Sequence, residues 1–94
     1  MRTIQEQDGV RSVVFSPDGK HIVYGRTSPR GSNYADDTRK TIQIWNAETG
    51  NFVRTLEGHE GYVTSVAFSP DGERIVSGGL RGEIKIWKFD VRLT

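Results

Sequence analysis
Four groups of side chains in this 94-residue chain have types that could do chemistry: His59, the pair Asp36-Asp37, Trp45 with Trp87, and cations gathered around residues 26–40. A histidine can ligate a metal or exchange a proton near neutral pH. An acidic pair is a start on a hard-cation site. Such a site needs further oxygen ligands at fixed spacing, and none accompany Asp36-Asp37. Two tryptophans could stack on a sugar, although rings carried in a strand pack by default. Arg26, Arg30, Arg39, Lys40 and Arg81 outweigh Asp36, Asp37 and Glu83, so this region could attract an anionic partner. An ordinary mixed charged surface is the simpler reading. No nucleophile motif, phosphate-binding loop or metal-ligand spacing occurs, and "GGLRG" at 78–82 leads into no helical pattern. No catalytic, cofactor or metal site is expected, and the chain is not expected to be an enzyme.

The elements that must hold these residues repeat. "VRSVVFSPDGKHIVYG" from Val10 faces "VTSVAFSPDGERIVSG" from Val63, with 11 of 16 positions identical. "TIQIW" ending at Trp45 faces "EIKIW" ending at Trp87. Repetition at this spacing is the signature of a repeat architecture. Val10 to Ser16 and Val63 to Ser69 are rich in Val and Phe without strict alternation, which suits strands buried on both faces. "SPDG" supplies type I turn chemistry into a hairpin. His21 to Gly25 and Arg74 to Gly78 read as second strands, and His21 itself as exposed. Thr41 to Trp45 and Glu83 to Trp87 read as third strands, "NAETGN" as a hairpin loop, and Phe52 to Leu56 as a fourth strand. No segment has a helical period. The fold class is all-β, in four-stranded antiparallel sheets.

"LEGHEGYVTSVAFSPDGERIVSGG" followed by "IKIW" resembles a WD repeat, the blade unit of a β-propeller. The resemblance runs from Met1 to Trp87. It rests on Gly58-His59, Ser69-Pro70-Asp71-Gly72, Ser77-Gly78 and Trp87. It implies a hydrogen-bonded set of His, Ser or Thr, Asp and Trp inside each blade, which makes His59 a structural residue rather than a ligand. His59, Ser77 and Trp87 hold three of those positions in the second repeat, and Arg81 stands in the Asp position. In the first repeat only Trp45 remains, with Tyr24 in the Ser position and Gln5-Glu6 near that of Gly-His. The network is therefore expected to be incomplete in both blades, with apolar packing making up the stability. Tyr24 could fill space or line a pocket between blades.

Bulk composition bounds the rest. Hydrophobic residues are 34% of the chain, enough for sheet packing but little for a self-contained core of this length. With no cysteine, disulfides and thiolate metal sites are excluded. A net charge of +1 does not favour nucleic acid. There is no apolar stretch of the ~20 residues a membrane span needs, and "MRTIQEQDGV" has no signal-peptide core. A cytoplasmic protein is expected.

Two blades cannot cover each other's outer faces, so an oligomer is expected. "MRTIQEQ" is similar to "VRTLEGH", which places Arg2, Thr3 and Ile4 against Arg54, Thr55 and Leu56. Residues 1–5 then act as an outer strand for a blade of a neighbouring chain. Residues 6–56 form the first blade, with an inserted loop at 26–40, and residues 57–94 form a second blade short of its outer strand. Head-to-tail association closes a ring. Four chains with eight blades are expected over three with six, on the habits of the family. Two alternatives stay open: "VRLT" forms the outer strand and residues 1–5 fray, or the chain is a piece of a longer propeller. The path from Gly25 to Thr41 is eleven residues longer than that from Gly78 to Glu83, and polar. Such loops in WD propellers share a face with the Gly-His loops, and that face docks partners. Partner contacts are therefore expected at Arg26, Arg30, Asn33, Tyr34, Asp36, Asp37, Arg39, Lys40 and Arg81. The expected function is a protein-interaction scaffold with an unknown protein partner. The alternative is a lectin-like small-ligand binder with pockets between blades.

Overall fold
The "SPDG" turns set the first hairpin of each repeat. Gly19 N–H donates to the Ser16 carbonyl at 2.8 Å, and Gly72 N–H to that of Ser69 at 2.9 Å. Both glycines have φ near +75°, the left-handed conformation that closes the turn without a Cβ clash. The Ser16 and Ser69 hydroxyls donate to Asp18 and Asp71, whose carboxylates also accept the Lys20 and Glu73 N–H groups. These bonds hold both carboxyl groups below the usual aspartate range.

This computed structural model describes residues 1, 3–6, 9–27, 41–59 and 61–89. Seven strands run in chain order: β1 (Gly9–Phe15), β2 (His21–Thr27), β3 (Thr41–Asn46), β4 (Phe52–Glu57), β5 (Val63–Phe68), β6 (Arg74–Gly79) and β7 (Ile84–Lys88). They form two antiparallel meanders, β1-β2-β3-β4 and β5-β6-β7. The first sheet has the expected four strands. The second has three among the described residues. "FVRTL" is the fourth strand of the first sheet because its hairpin after "NAETGN" brings it onto β3.

Register decides which side chains meet. In the first sheet Val14, Val23 and Ile44 form one cross-strand row, continued by Gly25 with Ile42 and Leu56. Phe15, Ile22, Trp45 and Phe52 form a row on the opposite face. In the second sheet the rows are Ala67-Val76-Ile86 and Phe68-Ile75-Trp87. The core lies between the sheets, where Val23, Ile42 and Ile44 meet Val63, Val66 and Ile75. β5 packs against both β1 and β2. At the hairpin end, Phe89 packs edge-on to both Phe68 and His21, with the His21 ring centroid 5.5 Å away. His21 is thus half-buried rather than exposed.

β1 departs from the expectation of a strand buried on both faces. Val10, Val13 and Phe15 are exposed, because among the described residues no sheet lies against that side of the first blade. β5 carries nearly the same residues, and there Val63 and Val66 are buried against the first sheet.

Candidate functional site
β6 and β7 hold Ser77 and Lys85 opposite one another, one step from Trp87, and the chain leaving β4 brings His59 over them. His59 Nε2 lies 2.6 Å from the Ser77 hydroxyl, which also accepts the Trp87 indole N–H at 2.8 Å. Serine accepts from tryptophan, and with Glu83 beside Nδ1 the tautomer protonated at Nδ1 lets the same hydroxyl donate to Nε2. Glu83 Oε1 lies 3.4 Å from Nδ1, a charge contact too long for a strong hydrogen bond. The carboxylate of this network therefore comes from Glu83, two residues beyond Arg81. The expected gap at Arg81 is filled from the next strand's threshold.

The His59 side chain is fully buried. Burial lowers its pKa from the ordinary 6.5, against an opposing pull from Glu83. The unfolded chain then takes up a proton near pH 6.5 that the folded chain still refuses. Stability should fall as pH drops through that value, and level off once the folded His59 protonates. Melting curves between pH 7.5 and 5.5 should show this slope, and His59→Gln should flatten it.

The first blade builds a different network at the same positions. The alignment that lays Val10 on Val63 also lays Glu6 on His59 and Tyr24 on Ser77. Trp45 donates its indole N–H to the Tyr24 hydroxyl at 3.0 Å, and that hydroxyl donates to Glu6 Oε2 at 2.5 Å. Arg26 Nε stands 3.3 Å from the same carboxylate oxygen. Burial and the Glu6 charge hold the Tyr24 hydroxyl above its ordinary pKa, so it stays a donor. Of the family's residue types only Trp45 stands here, and the bonds run through substitutes. A carboxylate and a phenol replace imidazole and serine, and the longer tyrosine spans the extra distance. Beneath it, buried Gln43 donates to Thr41 and accepts from Thr55, both at 2.8 Å.

The WD domain, G-beta repeat family matches residues 1–46 and 50–88. The chain belongs to the WD-repeat family. An uncharacterized WD repeat-containing protein of Synechocystis is 40% identical over 73 residues, 78% of this chain and 18% of that protein. The human WD repeat and SOCS box-containing protein 1 is 29% identical over 91 residues, 96% of this chain and 19% of that protein. The crystal structure of RRP9 WD40 repeats superposes with a TM-score of 0.75 at 25% identity, covering 93% of this chain and 25% of that one. The chain spans about a fifth of the length of the curated relatives it matches.

As in other WD blades, the ends of the strands sort into two rims. Gly9 pairs with Thr27, Thr41 with Glu57, and Val63 with Gly79. Glu6, His59, Arg81 and Glu83 therefore share one rim with Thr27 and Thr41. Among the expected partner contacts, Arg26 is turned to Glu6 and Arg81 lies over Gly61. Arg30, Asn33, Tyr34, Asp36, Asp37, Arg39 and Lys40 lie outside the described residues. Tyr24 is buried, with its hydroxyl committed to Glu6 and Trp45, and Trp45 packs edge-on to Phe52 at 5.4 Å. For the closure residues, Thr3 is exposed, Ile4 is half-buried beside Val13 and Tyr24, and Arg2 lies outside the described residues. The residues missed were Glu6 and Glu83. The repeat alignment carried the signal for Glu6; nothing short of the folded loop showed that Glu83 would turn back onto His59.

Proposed function
We propose that this chain is a protein-interaction scaffold. It contributes a rigid pair of WD blades to a ring, and partners dock on the rim of Thr27, Thr41 and His59, with residues 28–40 supplying contacts. The observation that supports this most is the pair of networks, His59-Ser77-Trp87-Glu83 and Glu6-Tyr24-Trp45-Arg26. Both pin the chain at that rim, one beneath each blade's loops. A long loop on a rigid base loses less entropy on binding than one on a mobile base. Repetition of the rim around a ring multiplies weak contacts into avidity. The scaffold role also agrees with the family, one member of which is named for WD repeats together with a SOCS box.

The test is removal of residues 28–39. The immobilised chain should retain discrete proteins from a cell lysate several-fold over the deletion variant, while both melt at the same temperature. Equal capture by the two chains would end the assignment of the loop, and a lower melting temperature for the variant would show the loop to be structural.

A further inference from the structure
The two faces of the blade pair left exposed among the described residues match the two halves of the interface it already contains. The first blade's covered face is built on Val14, Val23, Ile42 and Ile44, with Gly25 among them. The register-equivalent positions in the second blade are Ala67, Val76, Ile84 and Ile86, with Gly78 among them. Ile44 is 2% exposed and Ile86 70%; Val23 is 0% exposed and Val76 38%. The reverse holds for the opposite faces. Val66 is 5% exposed in the second blade's covered face, and its equivalent Val13 is 57% exposed in the first. Phe15 and Ile22 likewise match Phe68 and Ile75.

The glycines carry the match into detail. Gly25 has no left-handed backbone, yet a Cβ there would lie 2.3 Å from Val63 Cγ1. It is glycine because β5 comes that close. Gly78 also lacks a positive φ, and a Cβ there would meet only Ser65 Oγ at 3.5 Å. Among the described residues nothing requires glycine at 78. Val10, the equivalent of Val63, is exposed and would need that space in a second copy. Beside this face, β7 has no described neighbour on its outer edge, and a hollow of about 430 Å³ runs along it, lined by Glu57, Gly58, Lys85, Ile86 and Trp87. In the first blade the corresponding edge of β3 is occupied by β4.

Resting on the scaffold reading only for the idea of a ring, we infer that the exposed face of the second blade docks the exposed face of the first blade of another copy of this chain. Val10 of the incoming copy seats on Gly78, its Val13, Phe15 and Ile22 cover Val76, Ile84 and Ile86, and its first residues lie along the β7 edge. The contact is heterologous, so each copy donates one face and receives the other, and the assembly closes when the rotation returns to its start.

Two exposed positions test this without touching the core. Val13→Lys spoils the donated face and Ile86→Lys the receiving face. Native mass of the 94-residue chain, measured at low concentration, should give a discrete species of three or four copies. Each variant alone should be monomeric, with unchanged β circular dichroism. An equimolar mixture of the two should form a dimer and nothing larger, because one intact face of each kind remains. A monomeric wild-type chain would overturn the inference and leave the ring to blades from elsewhere. A Val13→Lys chain that still self-associates would also overturn it, by revealing a like-with-like contact. Mass reads the faces and lysate capture reads the loop, so the two proposals can fail separately.

Discussion

Gly25→Ala should be among the most damaging single substitutions in this chain, costing about 3 kcal/mol, at the upper end of ordinary overpacking effects. The added Cβ would stand 2.3 Å from Val63 Cγ1, 2.5 Å from Val63 Cβ and 3.1 Å from the Val63 carbonyl oxygen. No rotamer change relieves contacts with a Cβ and a backbone oxygen, so β5 itself must retreat from β2. That movement parts Val23, Ile42 and Ile44 from Val63, Val66 and Ile75, the fully buried part of the apolar contact between the sheets. Urea denaturation followed by tryptophan fluorescence, at one protein concentration, gives the loss. Adding Val63→Ala should restore only part of it, because the Cβ contact remains. Gly78→Ala is the matched control. The same change at the equivalent position meets only Ser65 Oγ at 3.5 Å, an ordinary contact, so its folding cost should be close to zero, and any effect should appear in the assembled mass instead. Equal losses at 25 and 78 would mean that strand propensity rather than the inter-sheet approach sets the cost.

Ser77→Ala should cost about 2–4 kcal/mol, because one deletion strands two partners at ~1–3 kcal/mol each. The Trp87 indole N–H and His59 Nε2 both depend on the Ser77 hydroxyl, and Ser77 is buried. Water has little access to replace it. The loss should also loosen the segment between β4 and β5, since His59, with the Leu80 N–H on the Tyr62 carbonyl, ties that crossing to the second blade. Hydrogen exchange at 58–62 should therefore quicken along with the fall in denaturation midpoint. In the Ser77→Ala background, Trp87→Phe should cost less than it does alone, since the indole N–H has then already lost its acceptor. Additive losses in that cycle would show that serine and tryptophan act independently, contrary to the shared hydroxyl. Tyr24 and Glu6 provide the contrast in the first blade, where the acceptor is a charged carboxylate rather than a neutral ring.

Two blades of antiparallel strands were legible in the sequence because their signals are local. "SPDG" closes a hairpin through bonds within five residues, and the Val, Ile and Trp spacing of each strand is read within six. The repeat then carried the reading from one blade to the other. His59, Ser77 and Trp87 could be named in advance on family spacing, which itself records a fixed strand register. Glu83 could not, and for Glu6 the repeat alignment gave the position but not the bond. Their roles depend on where a loop turns after leaving a strand, and on whether a phenol can reach what a hydroxyl could not. Burial was the larger surprise. β1 and β5 have nearly one sequence, yet Val13 is exposed where Val66 is buried, since burial belongs to whatever lies across a face rather than to the strand. The sequence by itself determined the strands, their turns and their pairing. Only the tertiary structure decided which face of each sheet found a partner, because a sheet's two faces are equally apolar here and the choice rests on which neighbour comes to lie against them.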